Sequence, residues 1–193
     1  CVAMQILETA KDSRLTTEIG QFNLEANLTP LEFRGKALSQ LENEILEVIE
    51  IVRQNAKKVD SDVVLVGILP TIQHSDLVIE NITPMPRYYE LNRVLTELHG
   101  ENRIVHIKGL DEVNLTLHDS LSETCNTSFQ IHLQVGSKDF VNAYNWAQAV
   151  AAPVLACAVN SPMLFGRRLW HETRVALFQQ ATDTRSVIHQ SRN

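Results

Sequence analysis

Two stretches of this chain alternate polar and apolar residues with a period of two, and no other feature constrains its folding so tightly. From Gln21 to Leu28 every odd position is polar and every even position apolar. From Thr127 to Val135 the pattern returns, with Ser128, Gln130, His132 and Gln134 on one face and Phe129, Ile131, Leu133 and Val135 on the other. Successive side chains of a strand point to opposite faces, so each stretch predicts a strand wet on one side and buried on the other. Antiparallel sheets have this character.

Helical periods lie between and after them. Gly35 to Asp60 carries Leu38, Leu41, Ile45, Val48, Ile49 and Val52 at three- and four-residue spacing, which predicts a long amphipathic helix over the sheet. Val63 to Leu69, closed by Pro70, predicts a strand buried on both faces. A helix is expected from Pro86 to His99, stopped by Gly100, then strands at Arg103 to Lys108 and Val113 to His118. Ser137 is a candidate N-cap for an Ala-rich helix reaching about Val159, which Pro153 should kink or divide. A last helix is expected over Leu169 to Gln180. These elements add up to an α+β fold: an antiparallel or mixed curved sheet with helices on one face.

With 193 residues, 44% of them apolar, and no repeat or linker, the expectation is a single domain over 1–193. No run approaches the roughly 18 to 20 apolar residues a membrane span needs, so no membrane partner is expected. Cys1, Cys125 and Cys157 are odd in number and far apart, which argues against a disulfide framework and fits a reducing cytoplasm. Residues 1–160 hold 12 Lys/Arg against 21 Asp/Glu, whereas 161–193 hold 5 Arg against Glu172 and Asp183. The acidic bulk excludes general nucleic-acid binding, which needs a broad basic surface. The arginine-rich end suits either a compact polyphosphate or a solvated basic helix.

The polar strand faces are rich in amides where a plain surface would carry Lys and Glu, which suggests directional hydrogen bonds to a ligand; the alternative is a polar layer under loops. Glu25, rising from the first strand, suits a hard divalent ion. Glu18 falls on the opposite face by strict alternation and joins Glu25 only if Gly20 supplies a bulge. His132 could donate to a phosphate or carboxylate, contact a metal, or be a structural histidine. Arg167, Arg168 and Arg174 surround Trp170 and could grip phosphate oxygens or pair with carboxylates. There is no Gly-rich phosphate loop, no GxSxG elbow and no HExxH, since Val175 stands where the second His would be.

The two alternating segments, together with Asn160-Ser161-Pro162 through Phe165-Gly166-Arg167 to Glu172-Thr173-Arg174, resemble the glutamate–cysteine ligase type 2 family, in order from about Thr17 to Thr184. The resemblance implies a glutamine-synthetase-like fold, a sheet curved into a funnel that holds Mg²⁺ and ATP. It implies a carboxylate–amine ligase that makes an amide through an acyl phosphate from an amino-acid carboxylate and an amine. Glu25, His132 and Arg174 then match catalytic positions, Gln130, Arg167, Arg168 and Arg174 nucleotide-binding ones, and Glu18, Glu25, Glu123 and His132 metal ligands. The family's Glu-x-Glu strand has no counterpart in Cys1 to Thr16, so the chain is expected to be an incomplete part of a catalytic domain, compatible with a homo-oligomer. The competing expectation is a non-catalytic ligand-binding or regulatory module that kept the fold.

Overall fold

The computed structural model describes residues 1–99, 103–117 and 121–183. The chain divides into two compact units, one of residues 1–65 and 75–98, the other of 66–74 and 99–193.

The first unit is built on the long amphipathic helix. Helix α1 (Ala3–Ala10) ends where Lys11 turns left-handed, φ 50°, and returns its N–H to Leu7. Strands β1 (Leu15–Thr17) and β2 (Leu24–Ala26) then pair antiparallel. Helix α2 (Ala37–Lys57) follows, and Val48, Val52 and Ala56 on its inner stripe bury against Ile6 of α1, with Leu15, Leu24 and Leu28 packed alongside. Each fully buried Val or Ile contributes on the order of 2 kcal/mol. Helix α3 (Pro86–His99) is tied to β1 by the Tyr88 hydroxyl, which donates to the Thr17 carbonyl at 2.9 Å.

In the second unit β3 (Arg103–Lys108) and β4 (Glu112–Leu117) form an antiparallel hairpin with Val105 opposite Leu115 and Ile107 opposite Val113. Val105, Ile107, Val113 and Leu117 are buried, as are Ala176, Leu177 and Ala181 of the last helix. The chain then forms a 3₁₀ turn (Leu121–Cys125), helix α4 (Phe140–Cys157), a two-residue hairpin of β5 (Met163–Leu164) and β6 (Arg167–Arg168), and helix α5 (Thr173–Thr182). Phe165 and Gly166 both have positive φ, 49° and 74°, the pairing a type I′ hairpin turn requires. At Gly109 a Cβ would lie 2.5 Å from the Leu169 backbone, so only glycine fits.

The α+β class holds, with small antiparallel sheets. Among the described residues, though, the strands form three separate two-stranded hairpins instead of one curved sheet. Three expected strands shrink or vanish for one reason: alternation marks a face, but a strand also needs a neighbour for its backbone. Gln21 to Leu28 is a strand only over Leu24–Ala26. Val63 to Leu69 forms none; Val64 and Leu65 are exposed, and only Ile68 makes a bridge, to Asn126. Thr127 to Val135 joins no ladder at all. Asp139 takes the place expected of Ser137 before α4, and that helix runs through Pro153 undivided. Gly100 and His118 lie outside the described residues.

Candidate functional site

In the first unit, a hairpin brings together two carboxylates that counting along one strand had set apart. The Asn23 N–H returns to the Gly20 carbonyl at 3.0 Å, closing a turn over Gln21 and Phe22. Phe22 folds back over Gly20 so closely that a Cβ there would meet its ring at 2.9 Å. The turn reverses the chain, and Thr16 faces Glu25 across the ladder. Glu18, two residues beyond Thr16, shares that face and sits diagonal to Glu25, within reach of a long side chain. No bulge at Gly20 is involved; the reversal itself makes the pair.

The electrostatics of this pair are those of two like charges meeting. Burial pushes the Glu18 carboxyl above its ordinary range, and the charge of Glu25 and a side-chain hydrogen bond with it push the same way. The Ile19 N–H, 3.0 Å from Oε2, and the Arg87 guanidinium oppose the shift without cancelling it. Arg87 is itself held over the Tyr88 ring at 4.5 Å and donates to its hydroxyl. An all-oxygen pair short of positive charge fits a hard divalent cation, which takes carboxylate oxygens and completes its shell with water or phosphate. Among the described residues no three His, Cys, Asp or Glu side chains gather to hold a metal unaided.

In the second unit, Arg174 is the centre of an internal knot. Its Nε and Nη2 donate to the two oxygens of Glu172, each at 2.6 Å, and Nη1 donates to the Thr127 carbonyl at 2.6 Å. Glu172 also accepts from the Ser161 hydroxyl and from the Asn160 N–H at 3.2 Å. Burial alone would raise the Glu172 carboxyl, but Arg174, Ser161 and Asn160 outweigh it and hold it at about 2. The guanidinium lies over Gly67, where a Cβ would stand 2.7 Å from Cζ and 2.8 Å from the Asn160 carbonyl. Sequence reasoning offered Arg174 either phosphate oxygens or a carboxylate partner; it did not name Glu172 as that carboxylate, nor Gly67, Thr127 and Ser161 as neighbours, although Thr127, Ser161 and Glu172 lie in the segments that carry the family resemblance.

The other candidates are more exposed. Arg168 is bound to Asp111 through its backbone N–H at 2.8 Å and its Nε at 3.2 Å, and Arg167 lies beside it on β6, exposed. His132 Nε2 lies 3.3 Å from Gln130 Oε1, and Gln130 in turn donates to Ser128 at 3.2 Å, so the three share one side of an exposed segment. Glu123 stands in the Leu121–Cys125 turn, half-buried. Glu18 and Glu25 thus belong to the first unit, while Glu123, Gln130, His132, Arg167, Arg168 and Arg174 belong to the second.

Residues 2–190 match the glutamate-cysteine ligase family 2 (GCS2). The chain belongs to that family. No curated protein and no solved structure matches it. Membership of the glutamate-cysteine ligase family carries ligase chemistry on small molecules at the level of the family, and it accounts for nearly every residue of this chain. No helix among the described residues is long and apolar enough to cross a membrane.

Proposed function

We propose that this chain carries part of the nucleotide and metal machinery of an ATP-dependent carboxylate–amine ligase with a glutamine-synthetase-like funnel. One observation supports this beyond family membership: Glu18 and Glu25 meet on one face of a short hairpin, with the Glu18 carboxyl raised by burial and by its neighbour. Two carboxylates held together against their own repulsion suit a cation site, because the repulsion falls when the ion binds. Glu18 and Glu25 would hold Mg²⁺, which would neutralise charge on the phosphates of ATP.

In this reading a substrate carboxylate oxygen attacks the γ-phosphorus and ADP leaves. The amine nitrogen then attacks the acyl carbon, phosphate departs and the nitrogen gives up a proton. Phosphoryl transfer depends on positioning and charge neutralisation more than on covalent help. His132 and Gln130, on the polar side of their segment, would donate to phosphate or carboxylate oxygens. Arg167 is the exposed arginine best placed on its strand to meet a phosphate, since Arg168 is engaged by Asp111 and Arg174 by Glu172. Arg174 would then act as a positioning residue that fixes the Asn160-Ser161 segment.

The test is ADP release by the full-length protein with Mg²⁺, ATP and a panel of amino acids and amines. Turnover that falls at least about 100-fold in Glu25→Gln supports the ligase. ATP binding without turnover on any pair would instead establish the non-catalytic module. No ATP affinity with Mg²⁺ present would remove both.

A further inference from the structure

The two carboxylates of the first unit's hairpin are fixed by different means. Glu25 lies inside the ladder, opposite Thr16, whereas Glu18 stands one residue past the last pair, Thr17 opposite Leu24, so β2 does not hold it. The hold comes from the segment between the 3₁₀ turn Ile79–Asn81 and α3. Gly20 bridges Ile82 antiparallel, the Gln21 N–H donates to the Asn81 carbonyl at 2.9 Å, and the Thr83 N–H donates to the Ile19 carbonyl at 2.8 Å. Gln21 Nε2 donates to the Glu80 and Ile82 carbonyls, each at 2.8 Å, and ties the segment to the hairpin turn. Thr83, only 2% exposed, completes the contact: its hydroxyl donates to the Glu18 carbonyl at 2.6 Å. The peptide between Glu18 and Ile19 is therefore held on both sides, because its N–H donates in turn to Glu18 Oε2 at 3.0 Å. A peptide turned away from Thr83 would turn that N–H away from the carboxylate as well.

We infer that Thr83 is the positioning residue of the carboxylate pair: through the Glu18–Ile19 peptide it sets the direction in which Glu18 meets Glu25, and with it the affinity of the pair for a divalent cation. This rests on the cation-site reading above and adds to it a residue that acts through Glu18 alone. The chemistry required is specific. The Thr83 N–H is already committed to Ile19, so the hydroxyl is the group left to satisfy the Glu18 carbonyl, and valine would fill nearly the same space without a donor. A ligand carboxylate on a short hairpin gains most from such a support, since its direction decides whether two oxygens converge on one ion or splay apart. Two further contacts act on the same stretch of chain: the Tyr88 hydroxyl holds the Thr17 carbonyl, and Gln21 holds the far side of the bridge at Gly20. Thr83 differs from both in gripping the peptide that itself bonds the carboxylate.

Mg²⁺ alone, titrated into the full-length protein, should slow amide exchange of Leu15 to Thr17 with a midpoint that reports the cation affinity of the pair, and Glu25→Gln should remove the response. Thr83→Val should move that midpoint to roughly 10-fold higher Mg²⁺. Thr83→Ser, which restores the hydroxyl, should bring it back. Equal midpoints in the unsubstituted protein and Thr83→Val overturn the inference and leave the cation site standing. So does an equal shift in the valine and serine variants, which would mark a packing role. No Mg²⁺ response in the unsubstituted protein removes the cation-site reading and this inference with it. Should Thr83→Val not fold, Gln21→Met at a half-buried position loosens the same segment and should shift the midpoint in the same direction; an unchanged midpoint there overturns the inference equally.

Discussion

The acidic hairpin of the first unit and the Glu172–Arg174 knot of the second use the same functional group in opposite ways. Glu172 is buried with three residues donating to it, and its carboxyl is held at about 2. Glu18 is half-buried beside another carboxylate, and its proton is held more tightly than usual. Burial raises both groups; what differs is the partner. A carboxylate given an arginine fork and backbone or hydroxyl donors is structural, because its charge is already answered. One set against a like charge keeps an unanswered demand, and that demand is what a ligand can meet.

The largest effect should come from unanswering the knot. Arg174→Met leaves Glu172 buried without its fork and should cost about 3 kcal/mol. Both tryptophans, Trp146 and Trp170, belong to the second unit, so the loss should appear as a lower urea midpoint in tryptophan fluorescence. An unchanged midpoint would mean that the knot is not the second unit's clamp. Gly67→Ala tests the same clamp from beneath. Its Cβ would collide with the guanidinium and the Asn160 carbonyl, and a cost of about 2 kcal/mol is expected on the same measurement.

Acid should separate the two sites by sign. Glu172 is held below its ordinary 4.5, so between pH 4.5 and about 2 the unfolded chain binds more protons than the folded one. Its stabilisation is complete above that window and drains as pH falls through it. Glu18 is raised, so its contribution runs the other way: full below 4.5 and lost as pH rises through the folded value. Lowering pH towards 4.5 should therefore raise the amide protection factors of the Leu15–Ala26 hairpin, and lowering it further through the window should loosen the tryptophan-reported unit. If both weaken together across the window, the contrast fails.

Much of this was legible in the sequence, and the limits have a physical cause. The spacing of Leu41, Val48 and Val52 gave α2, and the alternation about Val105 and Val113 gave the β3–β4 hairpin, because short-range periodicity alone decides such elements. The adjacency of Glu18 and Glu25 was lost because a face was counted along one strand, when the Gly20–Asn23 turn had made two. The knot was out of reach for another reason: Arg174 meets Gly67 and Thr127 across 107 and 47 positions, and no local pattern encodes such a meeting. At 127–135 the alternation predicted a strand with a buried apolar face, yet Phe129, Ile131 and Leu133 are exposed and no ladder forms, because a local pattern does not name what lies beside it.

The smallest predicted effects bear on the hairpin and ask whether its strain has a use. Glu18→Gln removes a like charge and should stabilise the first unit by about 0.5 kcal/mol at neutral pH, read from slower exchange of the Leu15 to Thr17 amides. Mg²⁺ near its dissociation constant should add about 0.4 kcal/mol to the unsubstituted hairpin by mass action, in the same readout. Both Glu18→Gln and Glu25→Gln should abolish that response. A merely structural pair would show the gain from Glu18→Gln and no magnesium effect in any variant; a cation site must show that the substitution which steadies the hairpin also silences it.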